Sequence, residues 1–460
     1  MEISTNPEGD GLPRVLTATH ATAIVVGIII GSGIFLVPRE MMAAVGNSRT
    51  VFAVWITGGL LSLFGAMTYA ELAAMRPRVG GDYAFLHAAY GPLIAFLYTW
   101  TMTLISTPAT IATIALGLVR VLGTFQAFAF FAQPAIGSFV WGQIIAIVAT
   151  FLVTMLNIVS TRDSANVQTL LTWLKVLLVL VVVAFCFAGA HHTAAQSGMH
   201  NFATTFTAAR GGFAGFMVAL TAALWAYDGW SDVTQLAGEV QKPQRSLPIA
   251  LIGGVATVGV LYMLTNAAVQ YVLPAASIAT AERPAADAMQ LVSGHLGAWI
   301  ISIAMAVSVT ATFVGSSLSN ARIPFAAAND GLFPKILGAI QPRYRTPWAS
   351  LLLQGSLASL LILAVGKFQA LFSLAIFAEW LFYALTISTV FLFRKREPNA
   401  ERPYRVTGYP IVPAFFIHAA LVLLVFSFAD QPRNSIAGSI VILCGIPIYF
   451  LTQRRKRTMV

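Results

Sequence analysis

Two short stretches decide how this chain folds: Gly27-Ile28-Ile29-Ile30-Gly31-Ser32-Gly33-Ile34-Phe35 and Trp225-Ala226-Tyr227-Asp228-Gly229-Trp230. Each sits near the middle of an apolar run longer than the roughly 20 residues a bilayer-spanning helix needs. Each places glycine next to a polar residue, where a helix facing lipid has no use for either. A lone glycine triplet would be explained by close helix packing. Two such interruptions, one in each half of the chain, point instead to paired broken helices.

The surrounding sequence sets the solvent. Hydrophobic residues make up 58% of the 460 residues and charged residues 10%, with a mean hydropathy of +0.79. A soluble domain carries about 25% charge, so a soluble protein with a very large core does not fit. In lipid the backbone must satisfy its own hydrogen bonds, which leaves helices or closed barrels. The apolar runs lack period-two alternation and read as helices. The expected class is an all-α polytopic membrane protein of about twelve spans. They cover about 16–46, 51–75, 91–123, 138–159, 164–190, 211–240, 247–272, 296–329, 346–366, 368–394, 408–428 and 434–453. Segment 76–90 reads as an amphipathic stretch along the membrane face, and 274–295 as a loop with a short helix after Pro284.

The net charge of +10 raises the question of nucleic acid. Its distribution answers it. Lys and Arg gather in alternate loops, at Arg76 and Arg78, Lys242 and Arg245, Lys335 to Arg345, Arg394 to Arg405, and in the tail Arg454-Arg455-Lys456-Arg457. That bias places these loops and both termini in the cytoplasm of a cell (plasma or inner) membrane. The tail reads as an anchor at anionic headgroups. Cys186 and Cys444 both lie inside apolar runs, so no disulfide-linked accessory subunit is expected. The polar, acidic N-terminus lacks the layout of a cleaved signal.

The breaks open two blocks of five helices. The expected organisation is a cytoplasmic segment 1–15, a first inverted repeat 16–190, a second inverted repeat 211–395, accessory spans 406–453 and a basic tail 454–460. A broken helix offers free N–H groups and a partial positive charge where its second half begins, and such an end binds a carboxylate. Free carbonyls where the first half ends suit an ammonium. Two crossed breaks therefore match a zwitterion. Gly31, Ser32 and Gly33 would present N–H groups and the Ser32 hydroxyl; the carbonyls of Trp225, Ala226 and Asp228 would face the ammonium.

With these residues in hand, a family resemblance is visible. Gly31-Ser32-Gly33-Ile34-Phe35 resembles the first-helix signature of the amino acid–polyamine–organocation (APC) superfamily. Trp225 to Trp230, then Gly238-Glu239 and Lys242-Pro243-Gln244-Arg245-Ser246-Leu247-Pro248, is similar to the sixth-helix region of its L-type amino acid transporter (LAT) branch. Tyr262-Met263-Leu264-Thr265-Asn266, Ala321-Arg322, Asp330 to Pro334, Thr346-Pro347 and Arg402-Pro403-Tyr404-Arg405 follow in the same order. The likeness spans about residues 15–410 and is of the bacterial, serine/threonine exchanger-like type. It implies the LeuT-like 5+5 fold with discontinuous helices 1 and 6. It also implies a carboxylate held by Ser32 and Gly33, an amino group held by the carbonyls of Ile29, Trp225 and Asp228, and Trp225 as an aromatic gate.

Three charges need separate accounts. Lys175 lies deep in span 5, where a charge is costly unless paired or lining a cavity; snorkelling is the alternative. In the resembling family it stands where sodium-coupled relatives bind a cation, which implies sodium-independent transport; proton coupling stays open. Glu379 in span 10 departs from the L-type pattern and could carry a proton, contact substrate or make a structural hydrogen bond. Asp228 replaces a glycine of the vertebrate pattern. Thr107, Thr312 and Glu379 are candidates for the side-chain pocket. Glu71, Arg76, Glu239, Arg322 and Asp330 sit at helix ends and could form an inner salt-bridge gate, but they read as solvated pairs worth under about 1 kcal/mol. There is no metal-ligand spacing, phosphate loop or nucleophile elbow, and no cofactor is expected. The expected function is a sodium-independent exchanger of small or medium neutral L-amino acids working by alternating access. The rivals are a proton-coupled symporter, a membrane-embedded enzyme and a non-transporting amino acid sensor.

Overall fold

The computed structural model describes residues 12–137, 139–189, 197–365 and 368–458, without the side chains of 365, 368–377 and 454–458. The N-terminal stretch and the side chains of the basic tail lie outside that description. Nine described helices are long and apolar enough to cross a membrane. Span 6, which is broken, the shorter Trp348–Val365 and span 10 at Phe368–Arg396 bring the number to about twelve.

Both expected breaks are present. Span 1 is a helix at Ala18–Ile29, an interruption, and a second helix at Gly33–Val45. Span 6 is a helix at Gly212–Ala226 followed, after Gly229, by 3-10 turns at Trp230–Glu239. Gly229 has φ 94°, and a Cβ there would collide with Ile28. Only glycine makes that turn at no steric cost. Span 1 is the most enclosed of the long helices, with 78% of its apolar window buried, whereas spans 11 and 12 (Ile411–Asp430 and Pro432–Thr458) reach only 28% and 22%. The broken helix thus occupies the centre and the last two spans the periphery.

The basic loops meet at one end of the bundle. There Arg394 donates to Glu71 at 2.9 and 2.6 Å, and the Val406 N–H donates to the same carboxylate at 2.6 Å. Arg76 pairs with Glu397. At the far end, Gly46 ends span 1 with φ 75° and accepts from the Phe206 N–H at 2.8 Å, and Gly211 donates to Ala44 at 2.9 Å.

Two features of the basic end go beyond the expectation. Segment 76–90 is packed onto the bundle: its helix Asp82–Tyr90 buries Asp82, Tyr83, Phe85, Leu86 and Ala89 against spans 3 and 10. Asp82 could enter because the Tyr69 hydroxyl donates to it. The helix-end charges are not all solvated. Arg322 and Glu239 are both fully buried, joined Nε to Oε1 at 2.8 Å and Nη2 to Oε2 at 3.1 Å. The Arg322 Nη2 also reaches the Thr161 hydroxyl at 3.0 Å. This pair ties span 8 to span 6 and span 5. Removing one member of a buried pair leaves an uncompensated charge, at a cost of roughly 3–5 kcal/mol. Arg322→Ala should therefore lose most of its folded, monodisperse fraction after mild heating in detergent. The double change Arg322→Ala with Glu239→Gln should recover part of it, which a merely bulky role for Arg322 would not produce.

Candidate functional site

The two breaks face each other at the centre of the bundle. In span 1 the Ile30 N–H still reaches Val26 O at 3.1 Å, and the Gly31 N–H turns back onto Ile29 O at 2.7 Å. Ser32 begins the second half-helix without a side-chain cap. Among the described residues no backbone acceptor meets the N–H groups of Ser32 and Gly33. They are the unsatisfied donors expected at a helix start. In span 6 the Asp228 N–H folds back onto Trp225 O at 3.1 Å.

Other helices hold the breaks open. The Tyr262 hydroxyl from span 7 lies 2.9 Å from Ile29 O and 2.7 Å from Ala226 O, bridging both interruptions. Lys175 is fully buried, and its Nζ donates to Gly27 O at 2.7 Å, Ile30 O at 2.6 Å and Ser308 O at 3.0 Å. Snorkelling is excluded by that geometry. Ser308 Oγ adds a bond to Ile30 O at 2.7 Å, and Thr312 Oγ1 one to Gly27 O at 3.2 Å. The ammonium therefore satisfies carbonyls on both sides of a gap where the helix cannot satisfy its own.

A cavity of about 140 Å³ opens between the breaks, far beyond the roughly 10–15 Å³ that one water needs. Ile29, Gly31, Ser32 and Gly33 line one wall, and Trp225, Ala226 and Asp228 the facing one. Thr107, Thr312 and Glu379 also line it. The sequence candidates thus converge on one space; Lys175 stands behind the span 1 wall. A Cβ at Gly31 would meet only Thr312 Oγ1, at 3.6 Å, whereas one at Gly33 would press on Ala226 Cβ at 3.1 Å. The Trp225 ring lies beside Gly33.

Sequence reading missed Asp232, Asn320 and Tyr383 in this lining. Tyr383 donates its hydroxyl to Asp228 Oδ1 at 2.9 Å, and Asn320 Nδ2 donates to Asp232 Oδ2 at 3.2 Å. A usable signal existed for one of them: Tyr383 follows Glu379 by four residues, one turn along the same face of span 10, whereas the turn at Gly229 separates Asp232 from Asp228. Ser308 likewise precedes Thr312 by one turn. The lining holds three carboxylates and no Lys or Arg.

Residues 16–451 match the family described as amino acid permease. The chain belongs to the amino acid permease family. The permease is 31% identical to the serine/threonine exchanger SteT of Bacillus subtilis over 98% of its own length and 99% of that protein's. It is 28% identical to the human cystine/glutamate transporter, covering 96% of this chain and 85% of the relative. It is also 28% identical to the mouse b(0,+)-type amino acid transporter 1, covering 97% and 90%. The permease is a multi-pass amino acid transporter of the APC superfamily and not an enzyme. Cys186 is buried, and Cys444 is exposed midway along the last helix.

Proposed function

We propose that this permease is a sodium-independent exchanger that moves small or medium neutral L-amino acids across the cell membrane by alternating access. One observation carries the reading: a fully buried ammonium, that of Lys175, fills the gap between the span 1 break and span 8 with three carbonyl bonds. A metal cation would need those same carbonyls. The free N–H groups of Ser32 and Gly33 take the substrate carboxylate. The carbonyls at Ile29, Trp225 and Asp228 take its ammonium; Ile29 O, which accepts from both the Tyr262 hydroxyl and the Gly31 N–H in the structure, exchanges one of these bonds for it. Trp225 closes over the ligand. The likeness to the serine/threonine exchanger of Bacillus subtilis supports a small substrate.

In this reading residues 16–190 and 211–395 are the two repeats, and 406–453 the accessory pair. Spans 1, 2, 6 and 7 rock against spans 3, 4, 5, 8, 9 and 10. The basic end faces the cytoplasm by charge bias. Counterflow of labelled serine into proteoliposomes preloaded with unlabelled amino acid tests the proposal. Uptake should need internal amino acid and be equal in sodium and choline buffers. Equal uptake into empty vesicles would overturn exchange, and a sodium requirement would overturn the role of Lys175.

A specific observation favours a second reading of the side chain. Asp228, Asp232 and Glu379 line the cavity with no basic residue among them, and such a wall suits an amine-bearing side chain. If so, lysine and arginine compete with serine. Asp232→Asn and Glu379→Gln should then weaken that competition about tenfold, close to 1.4 kcal/mol, while leaving serine counterflow within about twofold. Absence of any competition by cationic amino acids in the unaltered protein would leave the neutral reading alone.

A further inference from the structure

The connection between spans 3 and 4 differs from every other link at the far end of the bundle. No Asp, Glu, Lys or Arg occurs between Arg120 and Arg162. By contrast, the link before span 6 carries Arg210, and the link before span 8 carries Glu282 and Arg283. The segment forms 3-10 turns at Gln126–Ala132 and a small antiparallel pair, Pro134–Ile136 with Phe139–Val140. One aromatic turns inward: Phe131 is buried with Ala115, Val119 and Ala146 of spans 3 and 4. Four apolar side chains face out. Phe128 is 39% exposed, Phe130 40%, Ile136 71% and Trp141 42%.

Water is a poor neighbour for that face, and contiguous exposed apolar surface of this kind marks an interaction site. Its backbone is largely self-satisfied. Phe128 donates to Phe125 O at 2.9 Å, Gln133 to Phe130 O at 2.9 Å and Trp141 to Gln133 O at 3.0 Å. Internal pairing of this sort is what a lipid environment demands of a backbone. The face also continues a membrane surface. Phe125 packs against Trp299 at 5.0 Å between ring centroids. Trp299 is 57% exposed, near the far end of span 8. Below the hairpin, Val148 and Leu152 of span 4 face outward at 52% and 65%. Tryptophan and other amphipathic aromatics concentrate where the headgroups begin.

We propose that this hairpin is an interfacial membrane anchor, with Phe128, Phe130, Ile136 and Trp141 seated at the boundary between headgroups and acyl chains of the leaflet at the far end. The anchor fixes the depth of spans 3 and 4 in the bilayer. Its occupant is lipid and not another protein, because the face adjoins the outward apolar side chains Trp299 of span 8 and Val148 and Leu152 of span 4 and carries no charge to pair with a partner.

The test uses the full chain with Cys186 and Cys444 changed to serine and a single nitroxide-labelled cysteine at Phe128 or, where packing suffers, at the more exposed Ile136. The protein is reconstituted into phosphatidylethanolamine–phosphatidylglycerol liposomes, and serine counterflow verifies its fold. Collision of the label with oxygen is compared with collision with a water-soluble nickel chelate. Labels at Leu152 and Glu282 serve as lipid and water references. The anchor predicts an oxygen-favoured ratio of the same sign as Leu152. A nickel-favoured ratio like that of Glu282 would overturn it. So would low access to both reagents with dipolar broadening between labels, which would assign the face to a second copy of the chain.

Discussion

Lys175→Met should abolish amino acid counterflow while leaving a folded, monodisperse protein. The Nζ makes three hydrogen bonds to carbonyls, of Gly27, Ile30 and Ser308. Bonds to a charged group are worth roughly 1.5–3 kcal/mol each. Methionine keeps an unbranched side chain, one atom shorter, and loses all three. Ser308 and Thr312 still reach Ile30 O and Gly27 O, so the bundle holds together. The end of the first half-helix is then free to shift, and with it the carbonyl of Ile29 and the N–H groups of Ser32 and Gly33. A loss of about 2.7 kcal/mol at the binding step is already a hundredfold. Initial counterflow rates in proteoliposomes should fall by at least about that factor, with an unchanged elution profile in detergent. Wild-type kinetics in the variant would remove Lys175 from the mechanism. Lys175→Ala should fail in the same way.

Gly31→Val should abolish substrate binding, whereas Gly31→Ala should only weaken it. Unlike Gly229, Gly31 does not occupy the left-handed region of backbone space, so a side chain there is not strained. Nor does its Cβ position clash: Thr312 Oγ1 is the nearest atom, at 3.6 Å. The added methyl groups therefore enter the cavity beside the donors of Ser32 and Gly33. They occupy the place of the ligand and shield those N–H groups from a carboxylate. Binding can be read as ligand-induced stabilisation, which follows RT ln(1 + [L]/Kd). Saturating serine should raise the thermal midpoint of the wild type, raise that of Gly31→Ala less, and leave that of Gly31→Val unmoved. A normal shift in the valine variant would place the carboxylate elsewhere. Gly33→Ala makes a useful contrast, because its methyl would press on Ala226 at 3.1 Å. It should disturb the packing of the two half-helices more than the ligand's space.

Broken helices could be recognised in advance because their cause is local. Glycine beside serine or aspartate at mid-run is a statement about backbone freedom, and the runs on either side fix where in the bilayer the freedom falls. Lys175 was legible for a related reason: a charge in the middle of an apolar span must be paired. Its partners were not legible. They are backbone carbonyls of spans 1 and 8, and carbonyls carry no residue identity to read. Asp82 was not singled out, and Arg322 and Glu239 read as solvated, because charged residues at helix ends look solvated until something covers them. What covers Asp82 is the burial of helix 82–90 against spans 3 and 10. What covers Arg322 is its seat between spans 5 and 6.

Hydropathy and glycine placement are enough to give about twelve membrane spans and to interrupt spans 1 and 6; a zwitterionic ligand at the breaks is the expectation they raise. Hydropathy, charge bias and glycine placement are one-dimensional properties, and they survive being read in one dimension. Only the tertiary structure decided how the breaks are stabilised and what else shares their cavity. Tyr262 bridges the two interruptions, Lys175 closes the gap to span 8, and Asp232, Asn320 and Tyr383 complete the polar wall. The physical reason is that these contacts join residues far apart in the chain, across helices whose rotation about their own axes is set by packing and not by any local pattern.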